Sequence, residues 1–328
     1  MTQKILDQKL AAIRAGTYRH TDFVIADAKD GDIGGGMSAP GPDPARPGWF
    51  KPRAAHLEAI RTMTRSGLVD VMLVSASTAE RLGDEGLFEG SPVTPAIRLN
   101  DATDIWSARG GRYKEEPSRH HRTARIEQAK RYADLGLYSV TYSNQRDIDA
   151  LNSEVYSAFR AEAAAHGMRH FLEVFNPAFD IRLKDGADLG SFINDNIVRT
   201  LSGVMSSEHP AFLKIQYNGP RATEELASYD PGHLIVGILG GAAGTTRDTL
   251  ELVGQSERYG ARVALFGRKI NLADDPLDLV RHMRAVVERQ LSAEEAVRSY
   301  HDGLAKKGIR PKLELAKDNE ITEAALKG

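Results

Sequence analysis

The sequence contains no cysteine. That absence removes disulfides, thiolate zinc sites, iron–sulfur clusters and cysteine nucleophiles together. No window approaches the roughly 20 consecutive apolar residues that a membrane-spanning helix needs. Neither sign of charge dominates, with 43 Lys and Arg against 45 Asp and Glu and a net charge of -2. Nucleic acid is therefore not expected as a main partner, because neutralising phosphates takes clustered cations. The stretch from Met1 to Leu10 is polar and lacks an apolar signal core, so the cytoplasm is the expected location and no membrane contact is expected. The P-loop motif is missing, and the ten histidines show neither H-x-H nor H-E-x-x-H spacing. His120 and His121 are adjacent at what reads as the start of a polar helix, so no metal is expected. Gly34, Gly35 and Gly36 follow the first strand but lack the spacing of a dinucleotide fingerprint, so no nucleotide cofactor is expected.

What is present is a repeated pattern of short apolar run, polar turn and amphipathic helix. Runs at 23–26, 69–74, 93–99, 138–142, 169–175, 211–216, 233–239 and 261–266 read as strands, with Pro95 weakening the third. Helices are expected between them, among them 55–64, 119–135, 148–166, 189–205 and 223–229. Eight alternating units in 328 residues predict a single-domain (β/α)8 TIM barrel rather than an open sheet. Residues 30–53 form a long Gly/Pro-rich loop, and the charged segment from about residue 306 reads as a docking arm or a frayed end. Asp275-Pro276 and Ser292 with Glu295 mark two late helix starts.

A barrel of this kind carries its site at the C-terminal ends of the strands. Lys214 lies inside the sixth run, where burial disfavours an ammonium and favours the neutral amine a Schiff base requires. A structural lysine paired with Glu173 is the competing reading. Glu173 interrupts the fifth run in the same way, and pairing and proton transfer are compatible roles for it. Tyr142 ends the fourth run, where a phenol serves as general acid or base, or merely packs. Asp27 closes the first run, to hold a nearby ammonium, to receive a substrate hydroxyl proton, or merely to cap the loop. Lys29 is a secondary candidate amine. Gly240 and Gly241 after the seventh run, with Gly267 and Arg268 after the eighth, make a candidate phosphate seat.

Taken in order, Asp27, Tyr142, Lys214 and the Gly267-Arg268 pair resemble class I (Schiff-base) aldolases of the DhnA, or archaeal-type fructose-bisphosphate aldolase, family. That group is related to the tagatose-bisphosphate aldolases and the Lsr-type thiolase. The best local stretch is 267–280, a glycine-arginine strand end followed by a helix beginning Asp275-Pro276. The sequence departs from the family pattern at Ala28 and Lys29, where Asp-His-Gly is usual, at Lys269 in place of asparagine, and at Ala242-Ala243. The resemblance implies an aldolase acting on a phosphorylated sugar or keto compound without a cofactor, and a homo-oligomer. Lys214 would form the imine, Tyr142 shuttle the hydroxyl proton, Asp27 assist and Glu173 orient the lysine. Thiolase-like acyl transfer, decarboxylation on the same lysine, or non-catalytic binding of a sugar phosphate are the alternatives.

Overall fold

The computed structural model describes residues 4–102, 108–184 and 186–327. Eight strands, Val24–Ala28 (β1), Val71–Val74 (β2), Thr94–Arg98 (β3), Leu135–Thr141 (β4), Arg169–Phe175 (β5), Leu213–Ile215 (β6), Gly237–Leu239 (β7) and Val263–Phe266 (β8), close one barrel. Every pair is parallel, and β1 closes on β8 through Val24↔Val263. The expected (β/α)8 fold is therefore present, with all eight strands at the expected places along the chain.

Alternation along the strands divides the core in two. Val24, Ala26, Val71, Leu73, Ala96, Leu135, Leu137, Phe171, Phe212, Ile235, Val263 and Leu265 form the inner cluster. The rings of Phe171 and Phe212 stack there at 4.6 Å. The alternate residues, among them Phe23, Ile25, Met72, Ile97, Tyr138, Val140, Leu172, Leu213, Ile238 and Phe266, pack outward against the helices. Burying each such side chain contributes about 1.5–3 kcal/mol.

Pro95 fits a barrel strand because of where its neighbour begins. Thr94 N bonds back to Asp70 O on the β2 side. The nitrogen of residue 95 therefore faces β4, whose pairing starts only at Ala96↔Leu135. No ladder bond is lost there.

Several local expectations need correction. Residues 119–135 are not one helix: His120–His121 pairs antiparallel with Asp101–Ala102, and only Ile126–Ala129 is helical before β4 begins at Leu135. Tertiary contacts outweigh propensity here. His120 is buried, with its N–H donating to Asn152 Oδ1 and its Nε2 accepting from Thr141 N. The polar-looking beginning of the chain forms helix Ile5–Arg14, which closes the N-terminal end of the barrel with Leu6, Leu10 and Ile13. Residues 30–53 contain the helix Gly31–Gly35, and Ala39 O accepts from Asn271 Nδ2 at 3.0 Å. Past residue 306 the chain packs on the barrel, in line with the docking-arm alternative: His301 Nε2 meets Asp318 Oδ2 at 2.8 Å, and Leu326 is buried. Among the described residues no helix is long and apolar enough to cross a membrane.

Under the barrel, Asp70 Oδ2 gathers Lys9 Nζ at 3.0 Å, Ile25 N at 2.8 Å and Arg284 Nη2 at 3.1 Å. Asp70→Ala leaves two cations beside a buried, unanswered backbone donor, and should lower the unfolding free energy by about 3–5 kcal/mol. Urea titration reads this directly, and a loss under about 1 kcal/mol would show that the cluster does not anchor the N-terminal helix.

Candidate active site

Above the apolar layers of Leu137, Phe171 and Phe212, the next inner position of four neighbouring strands is polar. These are Arg98 on β3, Ser139 on β4, Glu173 on β5 and Lys214 on β6, with Asp30 just beyond β1. Register brings them together, since Ser139 faces Glu173 and Glu173 faces Lys214 across adjacent strands. All five are buried.

Lys214 Nζ stands 2.5 Å from Glu173 Oε1. The other Glu173 oxygen accepts from Ser139 Oγ at 2.7 Å and from Arg98 Nη1 at 3.1 Å. Arg98 Nη1 also donates to Asp30 Oδ2 at 2.8 Å, its Nη2 to Ser139 Oγ at 2.6 Å, and its Nε to the Asn100 carbonyl at 3.0 Å. Asn100 fixes the β4 backbone in turn, giving a hydrogen bond to Ser139 O and taking one from Ser139 N. Burial alone would raise the Asp30 carboxyl, but the Lys214 ammonium and the Arg98 guanidinium outweigh it and hold Asp30 below its ordinary value. The cluster thus pairs two carboxylates with two cations at the mouth end of the barrel, where a lysine amine, a carboxylate partner and a second carboxylate converge.

Among the expected residues, Lys214 and Glu173 are in this cluster, and Asp27, Lys29 and Tyr142 are not. Tyr142 shares the outward side of β4 with Tyr138 and Val140. Its hydroxyl bonds Thr200 Oγ1 at 2.8 Å, and burial raises its pKa. Asp27 has the parity of Phe23 and Ile25 and faces the helix Arg53–Ser66, paired with Lys29 Nζ at 3.1 Å. The pairing is ionic, since neither Asp27 oxygen receives a well-directed hydrogen bond. Burial raises the Asp27 carboxyl against the pull of Lys29. His56 Nε2 meets the Lys29 carbonyl at 3.0 Å, and burial lowers the His56 pKa. Asp27 and Lys29 therefore form a separate pair behind β1. Asp30, three residues on, takes the inward place. Arg98 and Asp30 were missed, and the period of two would have found both: residues 24, 26, 28 and 30 share one direction, as do 96 and 98.

Gly240, Gly241, Gly267 and Arg268 lie on the adjacent loops after β7 and β8. Gly241 has φ 67°, a left-handed backbone suited to glycine. A Cβ at Gly267 would stand 2.7 Å from the Ala28 carbonyl oxygen. Arg268 is exposed, and among the described residues its side chain makes no hydrogen bond or ion pair. The helix Thr246–Arg258 behind the glycine loop is already closed by the chain itself: Thr246 N donates to Asp318 Oδ1 at 2.7 Å, and Thr245 and Asp248 form a capping box. Lys269 is buried against Glu323 Oε1 at 2.6 Å and Ala243 O at 3.2 Å. Gly240 N already donates to the Leu265 carbonyl at 3.2 Å, so the candidate donors of this seat are the turns at Gly241 and Gly267 and the Arg268 guanidinium. Among the described residues no group of His, Cys, Asp and Glu could hold a metal ion.

Two predictions follow from the geometry. Tyr142→Phe should cost about 1 kcal/mol of stability through the lost Thr200 bond and leave Lys214 chemistry intact; loss of imine trapping at Lys214 in this variant would return Tyr142 to the site. Because the folded-state pKa of Asp30 is depressed, its stabilisation is present above the unfolded value of about 3.9 and lost as pH falls through the folded value. The stability difference between wild type and Asp30→Asn should stay constant down to about pH 5 and shrink below about pH 4. A difference that grows on acidification in pH-dependent urea unfolding would reverse the assignment.

No protein-family model and no curated protein sequence matches the chain. Solved structures do. An archaeal fructose 1,6-bisphosphate aldolase superposes with TM-score 0.61 at 18% identity, over 86% of this chain and 99% of that one. The same measures hold for an archaeal fructose-1,6-bisphosphate aldolase with the catalytic Lys covalently bound to the carbinolamine intermediate of its substrate. Cgl0159 from Corynebacterium glutamicum superposes with TM-score 0.59 at 17% identity, over 87% of this chain and 98% of that one. At such identities the likeness establishes a barrel fold shared with these proteins.

Proposed function

We propose that this chain is a Schiff-base-forming carbon–carbon lyase of the class I aldolase type, acting on a phosphorylated sugar or keto compound. The observation that carries the reading is the buried Lys214 amine 2.5 Å from Glu173 Oε1, with Asp30 beside it at the C-terminal end of the barrel. The archaeal aldolase described with its lysine bound as a carbinolamine has the same barrel, which supports imine chemistry on this fold.

Glu173 accepts a proton from the Lys214 ammonium, and the freed lone pair attacks the substrate keto carbon. The carbinolamine takes a proton on its hydroxyl and loses water, leaving an iminium. A carboxylate then removes the proton of the hydroxyl on the far carbon of the bond to be cleaved, the carbon β to the iminium. That carbon–carbon bond breaks, its electron pair moves toward the iminium to give an enamine, and an aldehyde departs. Protonation of the enamine carbon and hydrolysis restore the amine. Asp30 is the carboxylate for the hydroxyl proton, since it is ionised and its side chain is slightly exposed while Glu173 is closed in. This gives Asp30 the tasks that the family resemblance assigns to Tyr142 and Asp27. Gly241, Gly267 and Arg268 hold the phosphate through backbone donors and one guanidinium, while Gly240, whose N–H is taken by Leu265 O, shapes the turn beside them.

The second reading is a lysine-dependent decarboxylation or acyl transfer on an unphosphorylated keto compound. It is favoured by Lys269 and the helix N-terminus both being engaged by the chain's own Glu323 and Asp318.

Borohydride reduction in the presence of dihydroxyacetone phosphate and a panel of phosphorylated ketoses, followed by peptide mass spectrometry, tests the proposal. Label is expected on Lys214 and absent from Lys214→Met. Label only with unphosphorylated keto acids or thioesters would favour the second reading, and label on Lys29, or on no lysine, would overturn both.

A further inference from the structure

Resting on that reading, we propose that Arg98 is the positioning residue of the imine site: its guanidinium bridges Glu173 and Asp30, so that the Lys214 amine faces carboxylates already shared with a second, fixed cation. The argument begins with where Arg98 is. An arginine at an inward strand position, 3% exposed, is held there by two carboxylates, a hydroxyl and a carbonyl. Replacing buried ionic clusters by well-packed apolar residues is often neutral or stabilising, so stability alone does not explain an arginine here.

The charge arrangement supplies a reason. One guanidinium nitrogen, Nη1, bridges Asp30 at 2.8 Å and Glu173 at 3.1 Å. Both carboxylates also act on Lys214, Glu173 by contact and Asp30 through its field. Arginine does not deprotonate in proteins, so the guanidinium charge stays fixed while protons move among the other three groups. With Arg98 present, two carboxylates are shared by two cations; without it, two negative charges would bind one ammonium. Removing Arg98 also removes a like charge from the neighbourhood of Lys214, and both effects favour the protonated amine. The charged groups around the amine come from the segment after β1 (Asp30), from β3 (Arg98) and from β5 (Glu173). Asp101 lies beyond Arg98, and the Asp27–Lys29 pair lies behind Asp30. The planar fork matters as well as the charge. A lysine at 98 has no geometry that reaches Asp30, Glu173, Ser139 and the Asn100 carbonyl together.

Imine formation with a small aldehyde tests this without knowledge of the substrate. The full chain is treated with glycolaldehyde and cyanoborohydride between about pH 5 and 12, a range that brackets both buried and ordinary lysines in proteins. Modification of the Lys214 peptide is followed by mass spectrometry, with exposed Lys306 as internal reference. In Arg98→Met the Lys214 profile should move about one unit to higher pH, a roughly tenfold loss of labelling on its rising limb, while Lys306 is unchanged. Arg98→Met/Asp30→Asn, which removes one charge of each sign and remains available if the single variant does not fold, should bring the profile back toward wild type. Arg98→Lys should fall between wild type and Arg98→Met. A Lys214 profile that is the same in every folded variant overturns the proposal, because a merely structural arginine would change the melting temperature and not the midpoint. If Lys214 of the wild type takes no label at any pH, the functional reading itself fails and this inference fails with it.

Discussion

A strand of a closed parallel barrel has an inside and a helix-covered outside, and its side chains alternate between them. That constraint determines which polar residues meet in this protein. Glu173 and Lys214 come together because Phe171 and Phe212, two positions earlier on neighbouring strands, are already inward. Asp27 and Tyr142 end their strands at plausible heights, yet each has the parity of large apolar neighbours that pack on helices. Height along the barrel is necessary for a site residue; direction decides.

The legibility of the sequence follows the same line. Eight apolar runs were readable because strands shielded on both faces are apolar at nearly every position. Lys214 and Glu173 stood out because a charge inside such a run has few explanations. Arg98 sits at the end of the run 93–99 and reads there as an ordinary strand exit, so nothing marked it without the alternation. Asp30 lay in what looked like loop. The helix expected over 119–135 failed because His120 and Asn152 make long-range contacts that periodicity does not register. The helix Ile5–Arg14 was overlooked because Asp7, Gln8 and Lys9 interrupt its apolar residues, although Leu6, Leu10 and Ile13 are spaced as one helical face.

Two buried lysine–carboxylate pairs stand close together and are built differently. In the Lys214 cluster the Glu173 and Asp30 carboxylates are tied to cations and hydroxyls, and Asp30 is held ionised. Behind β1, Asp27 has an ammonium near it but no well-directed donor, and burial pushes its carboxyl toward the protonated form. The same pair of residue types thus yields a charged, oriented array on one side of the strand layer and a poorly solvated pair on the other. The difference comes from the donors supplied by Arg98 and Ser139.

The docked C-terminal segment has a consequence for how the molecule is made. The loops after β7 and β8 are completed by contacts that reach far along the chain: Thr246 to Asp318 spans 72 residues, and Thr322 to Asp248 spans 74. A nascent chain with every barrel strand already outside the ribosome still lacks Asp318 on the helix and Glu323 on Lys269. At that stage Lys269 lacks its carboxylate partner, and Thr246 N lacks the Asp318 acceptor. The barrel can close first, and this corner of it acquires its final electrostatic character only when the later residues arrive.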